Sequence, residues 1–281
     1  MVLLAAFVAF GSVSAMAGAF EDGEAAFDRM DYPSAYAHWK AAAAQGHARA
    51  MNGLGTLYRN GLGVEKDSRT ANRWFERSAR LGDPRGQANL GYQYLVGDPV
   101  DRDFDAALSW YRKAAEQDLP SAQYALGVFH SKGVGVRKNL ARAREWLTKA
   151  ANNGNRHAQS LLGAMYETGE GVKIDYSVAA GWYERAAAQG ENAAEFSLGW
   201  MYFNGLGVSK DVGRGIDLVT RAARGGNAQA MYNLARVYED GINGVGKDPL
   251  RALDWYSRAA GKGNEDAAEK AKELRKRLSS D

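Results

Sequence analysis

Apolar and polar positions along this chain repeat on two scales. The short scale is helical: in residues 67–102, Ala71, Trp74, Phe75, Ser78 and Ala79 follow the i, i+3, i+4, i+7, i+8 spacing of one apolar helix face. The long scale is a period of 36 residues. Trp74, Trp110, Trp146 and Trp182 stand one period apart, Leu218 holds the next rung, and Trp255 follows after one inserted residue. A second ladder keeps step with the first: Leu54-Gly55, Leu90-Gly91, Leu126-Gly127, Leu162-Gly163, Leu198-Gly199, then Leu234-Ala235. Such periods mark stacked units, each too small to bury its apolar face alone. The pattern predicts an all-α chain of about seven helix pairs, over residues 31–66, 67–102, 103–138, 139–174, 175–210, 211–247 and 248–278.

The polar positions place the helix ends. Asp31, Asp67, Asp103, Asn139, Asp175, Asp211 and Asp248 share one register, and short acidic or amide side chains there accept from the orphaned N–H groups of a first turn. Gly46, Gly82, Gly154, Gly190, Gly226 and Gly263, with Asp118 once, end the first helix of each pair. The second helix carries Ala88, Leu90, Gly91 and Tyr94 and stops at Gly97; Tyr58, His130, Tyr166, Tyr202 and Tyr238 occupy the tyrosine position elsewhere. A glycine after the leucine lets the first helix of the pair come close, with the neighbouring tryptophan expected over the gap. Pairs end in Gly-x-Gly-Val at 61–64, 133–136, 169–172 and 205–208, where glycine supplies positive φ and valine plugs the seam. No strand precedes these loops and no Lys-Ser follows, so they are not phosphate cradles.

Trp182-Tyr183, Ala186-Ala187, Gly190, Leu198-Gly199, Met201-Tyr202 and 205–208 form a phrase that resembles the Sel-one-like repeats, relatives of the tetratricopeptide repeat. The resemblance spans about residues 31–270 and implies a right-handed α-solenoid that binds a protein or peptide. Residues 21–30 and 269–278 read as terminal capping helices. Four places depart from the phrase: His38 with Trp39 beside it, residues 97–100, Leu218, and the insertion in 241–246.

Composition narrows the chemistry. Hydrophobic residues make up 46% and charged residues 25%, with a net charge of +3, ordinary for a folded chain and too balanced to imply nucleic acid. There is no cysteine, so disulfides, thiolate zinc sites and a lipoprotein anchor are excluded. The cysteine-rich members of the resembled family linked to β-lactams therefore lend no activity here. Residues 1–19 are uncharged and apolar, with small-x-small sites ending at Ala17 and Ala19. They read as a signal peptide lacking a basic start, ahead of one solenoid domain over 20–281. The expected location is periplasmic or secreted, with no stable membrane insertion after cleavage.

No catalytic or metal constellation is visible. His38 and His130 sit in core register, while His47 and His157 stand at helix starts; none has zinc spacing. No serine lies in Gly-x-Ser-x-Gly. No cofactor is expected, and the chain reads as a non-enzyme. Two features rise above the repeat. Arg77, Lys113, Lys149, Arg185, Arg221 and Arg258 follow the tryptophan position by three residues, offering either a groove for an acidic partner or cations for helix C-termini. The second lies in freely varying positions, which read as solvent-facing: Thr56, Tyr92, Val128, Ala164, Trp200 and Arg236, and three residues on, Arg59, Leu95, Ser131, Glu167, Phe203 and Glu239. Tyr92 with Leu95 and Trp200 with Phe203 are the candidate partner-binding residues, unless they pack on the adjacent repeat. The expected function is a non-catalytic scaffold of the bacterial envelope; the alternative is a cell-wall or polysaccharide binder that serves exopolysaccharide production or export.

Overall fold

The computed structural model describes residues 18–279, and among them every regular element is a helix. Helix α1 covers residues 18–28. It is followed by α2 (Tyr32–Ala44), α3 (Ala48–Asn60), α4 (Ser68–Arg80), α5 (Pro84–Val96), α6 (Phe104–Glu116), α7 (Pro120–Lys132) and α8 (Leu140–Asn152). Then come α9 (Arg156–Thr168), α10 (Tyr176–Ala188), α11 (Asn192–Asn204), α12 (Val212–Arg224), α13 (Ala228–Asp240), a 3₁₀ turn (Ile242–Gly244), α14 (Pro249–Ala260) and α15 (Glu265–Leu278). Contacts divide the chain into two compact units that meet between Asn153 and Gly154, and each is an array of helices packed on their sequence neighbours. Most of the segment read as a signal peptide, residues 1–17, lies outside the described residues.

Each end follows from local chemistry. The carboxylates or amides of Asp31, Asp67, Asp103, Asn139, Asp175, Asp211 and Asp248 all accept from backbone N–H groups of the first turn they cap. Gly61, Gly97, Gly133, Gly169, Gly205 and Gly241 end the second helices in the left-handed conformation. Each glycine loop is then closed by one recurring bond. The N–H of the next cap donates to the carbonyl of the tyrosine column: Asp67 to Tyr58, Asp103 to Tyr94, Asn139 to His130, Asp175 to Tyr166, Asp211 to Tyr202, Asp248 to Tyr238, all at 2.8–3.0 Å.

The core differs from the tryptophan ladder in one respect. Trp74 and Trp146 are half-buried, whereas the residue after each rung is fully enclosed: Phe75, Leu147, Tyr183 and Tyr256. Trp39, beside His38, occupies that enclosed position in the first pair. The glycine of Leu-Gly makes room for this residue from the following repeat, not for the tryptophan. A Cβ on Gly55 would lie 2.5 Å from Phe75 Cε1, and one on Gly163 2.6 Å from Tyr183 Cδ1. Helix α15 buries Ala267, Ala271 and Leu274. It is the second helix of the α14–α15 pair, and its charged outer face is the polar shield expected of residues 269–278.

Candidate functional site

The two varying columns part company in three dimensions. The first faces outward: Tyr92 is 45% exposed and Trp200 42%. The second turns inward, against expectation. Phe203 is 2% exposed and lies on α12, where a Cβ on Gly215 would meet its ring at 3.2 Å. Leu95 is half-buried on the cluster holding Tyr111 and Phe129. Three other members also face the enclosed residue of the next repeat. Arg59 stacks over Phe75 at 5.3 Å, Glu167 accepts from the Tyr183 hydroxyl at 2.6 Å, and Glu239 from that of Tyr256 at 2.8 Å. Burial and these carboxylates push both tyrosine hydroxyls well above their ordinary range. Leu95 and Phe203 are therefore joints between repeats, and of the four candidates Tyr92 and Trp200 are the exposed ones, as Phe104 and Tyr176 are elsewhere.

Tyr92 stands in the wall of a cleft of about 750 Å³ lined also by Arg59, Asn89, Gln93, Tyr111 and Ser121. Its polar groups are pre-set. Arg59 Nη1 donates to Asn89 Oδ1 at 2.8 Å, and Asn89 Nδ2 donates to Asn52 Oδ1 at 2.7 Å. The cleft joins an exposed ring to fixed amide and guanidinium groups, a combination that positions a polar ligand against an apolar face. Asn52, Arg59 and Asn89 were not foreseen as a site. Asn52 and Asn89 share no column of the repeat, so periodicity gives no signal for them. Trp200, in the second unit, stacks at a tilt 6.0 Å from the Phe203 ring.

The basic ladder is engaged within the chain. Arg77, Lys113, Lys149, Arg185 and Arg258 lie over Trp74, Trp110, Trp146, Trp182 and Trp255, with cation-to-centroid distances of 4.1–5.0 Å. All six cations also sit in the last turns of their helices, where they complement the dipole. Arg221 has Leu218 beneath it in place of tryptophan, and pairs instead with Glu195 at 3.1 Å. Glu195, 5% exposed, replaces the buried glutamine of three other repeats. There, Gln87, Gln123 and Gln159 accept from Gln117, Asn153 and Gln189 at 2.8–3.0 Å. Burial raises the Glu195 pKa, and Arg221 only partly opposes this.

The histidines carry no site. His47 caps α3 and stacks on Phe20 at 4.3 Å, His157 meets Glu191 at 2.9 Å, and His130 is enclosed, its pKa lowered by burial. No cluster able to hold a metal, and no helix long and apolar enough to cross a membrane, occurs among the described residues.

A family model described as the Sel1 repeat matches residues 15–47, 48–83, 84–119, 120–155, 156–191, 192–227 and 228–264. The chain belongs to the Sel1 repeat family. Its fold is an all-α solenoid, and Sel1 repeat proteins are helical scaffolds that typically mediate protein–protein interaction. The family's unit starts half a period from the phase set out above. It pairs helices across the glycine loop, such as α3 with α4, which is the closer packing. Among solved structures, the chain is similar to a protective antigen of uropathogenic Escherichia coli displaying an SLR fold. The two share 34% identity at a TM-score of 0.79, covering 92% of this chain but only 56% of the antigen. A Sel1 repeat protein from Oxalobacter formigenes shares 33% identity at a TM-score of 0.76, covering 86% of this chain and 96% of the other. An immunity protein of Pseudomonas aeruginosa, PA5088, matches at 18% identity and a TM-score of 0.50, over 78% of this chain and 82% of its own, a likeness of fold alone. Among curated proteins no sequence matches the chain.

Proposed function

We propose that this Sel1 repeat protein is a non-catalytic scaffold of the bacterial envelope, holding a protein partner against Tyr92 and Trp200. One observation carries the reading: Tyr92 stands exposed in a cleft whose hydrogen-bonding groups are already fixed by Arg59, Asn89 and Asn52. Exposed aromatics supply large contact area at low entropic cost, and pre-set polar partners lower the ordering cost of binding. Export rests on residues 1–19, and similarity to a protective antigen supports it. Cleavage near Ala17 or Ala19 would remove that segment ahead of the solenoid.

The test is capture from the native host after cross-linking, comparing the wild-type chain with Tyr92→Ala and Trp200→Ala. Loss of each ring is expected to weaken capture by about tenfold or more, as for interface anchors, with an unchanged melting temperature. Unimpaired capture by both variants overturns the two rings as binding residues. Sugar stacking on Tyr92 is the second reading, favoured by the amides beside the ring. Binding of a polysaccharide that persists in high salt and is lost with Tyr92→Ala would select it.

A further inference from the structure

The enclosed position is a tyrosine in three repeats, at Tyr111, Tyr183 and Tyr256. In two of them the hydroxyl donates to a glutamate of the preceding helix, Glu167 or Glu239. In the third, Leu95 stands where that glutamate belongs. The Tyr111 hydroxyl makes no hydrogen bond among the described residues, although Tyr111 is only 8% exposed. A polar group buried without a partner is costly, and burial pushes the Tyr111 pKa up to about 12. Tyr111 lines the cleft that also holds Arg59 and Tyr92. Arg59 is half-buried there, gives one donor to Asn89, and makes no ion pair among the described residues. Burial lowers its pKa; the Tyr92 and Tyr111 hydroxyls oppose this, and no carboxylate does. The other two charges of the cleft, Lys66 and Asp98, offset each other.

We infer that this cleft takes a carboxylate, the side chain of a glutamate on the partner protein, between the Tyr111 hydroxyl and the Arg59 guanidinium. The ligand class follows from the chain's own joints, where the same tyrosine register meets a glutamate at α9–α10 and at α13–α14. Here the chain withholds the acceptor and leaves two donors of matching chemistry. A carboxylate brought out of water needs a counter-charge as well as hydrogen bonds. Arg59 supplies it, held in place by Asn89 and, through Asn89, by Asn52. The volume of about 750 Å³ leaves room for a side chain with backbone on either side, against the exposed ring of Tyr92. The inference deepens the reading of this cleft as a partner site and rests on that reading for the partner being a protein.

The experiment titrates the full chain with N-acetylglutamate α-amide, which offers only a side-chain carboxylate, and follows the Arg59 Nε–H and Tyr111 ring signals by NMR. Saturable shifts of both are expected, and none with N-acetylglutamine amide, the neutral isostere. Tyr111→Phe keeps the ring in the core and removes one charge-assisted hydrogen bond, so it is expected to weaken the probe by about tenfold. Leu95→Glu places the chain's own carboxylate beside the hydroxyl and is expected to weaken it by about tenfold or more, by occupying the site. Tyr111→Phe keeps the test decisive if Leu95→Glu misfolds. The inference is overturned if the glutamate probe gives no saturable shift, if the glutamine probe binds equally well, or if folded Tyr111→Phe binds undiminished. Tighter binding of N-acetylalanine, which offers a chain-end carboxylate, overturns the glutamate side chain as the source. Failure of the glutamate probe, with Tyr92→Ala still impairing capture in cells, removes the carboxylate and leaves the scaffold reading standing. Binding of the probe, with capture unimpaired by Tyr92→Ala, keeps the carboxylate site and removes the Tyr92 ring from the partner surface.

Discussion

At the scale of single residues, the sixth repeat is a set of linked replacements. Leu218 for tryptophan frees Arg221; Glu195 for glutamine gives it a partner; Gly225 stands where the amide donors Gln117, Asn153 and Gln189 stand in other repeats. The exchange has a cost that depends on pH. Burial holds the Glu195 pKa above its ordinary 4.5, so the folded chain keeps a proton there more readily than the unfolded chain. Stability from this group is therefore fully present below about 4.5 and is lost as pH rises through the elevated folded-state value. Glu195→Gln removes that dependence, and its amide can donate to the Ala187 carbonyl as Gln123 does to Ala115. The variant is expected to be more stable than the wild-type chain by about 1 kcal/mol at pH 7, with the gain vanishing by pH 4. Thermal melts at the two pH values check this; a gain of the same size in acid contradicts the account.

At the scale of elements, glycines of one composition do opposite work. Gly163 in α9 lies against the Tyr183 ring, where a Cβ would fall at 2.6 Å from two ring carbons. Gly163→Ala is expected to cost about 1–3 kcal/mol through overpacking. Gly181, inside α10, has nothing within 4 Å of an added Cβ, and Gly181→Ala should stabilise by about 0.5–1 kcal/mol through helix propensity. Denaturant titration of both variants separates the effects by sign.

The same contrast explains what was legible in the sequence. Helix ends were readable because capping is local: Asp67 satisfies donors two and three residues ahead, whatever the rest of the chain does. The enclosed position was not readable, because Trp74 and Phe75 are adjacent, apolar and about 100° apart around one helix. Which of them meets the next repeat is decided by where the incoming helix lies. The inward column misled for a related reason. Arg59, Leu95, Glu167, Phe203 and Glu239 vary, and variation in a column suggests solvent. Their changes instead follow the residue they touch: carboxylates answer Tyr183 and Tyr256, and Phe203 answers the small Gly215. The exposed pair, Tyr92 and Trp200, was readable because an aromatic outside the repeated phrase has few uses other than contact.

At the scale of the molecule, stability in a solenoid is a sum over repeats and their nearest-neighbour joints. Damage should stay where it is made. Tyr256 is enclosed, 1% exposed, and its hydroxyl is held by Glu239, which Arg277 also grips. Tyr256→Ala is expected to cost about 3–5 kcal/mol locally. Amide exchange should accelerate through α13, α14 and α15 while α9 and α10 keep wild-type protection. Exchange that rises uniformly across residues 154–279 would mean the second unit unfolds as one cooperative block instead.

The joint between repeats also bears on how such a chain is inherited. Gly55 receives Phe75, and Gly163 receives Tyr183, so each repeat carries a socket for the next and a plug for the one before. A genetic duplication or loss of one whole period therefore leaves a socket facing a plug of matching kind, wherever the break falls within the period. Unequal recombination can lengthen or shorten the array with few lethal products. The matched exceptions, Arg59 with Phe75 or Glu239 with Tyr256, are the points at which a spliced copy would have to be re-tuned, and so the places where lineages of this family should diverge in pairs.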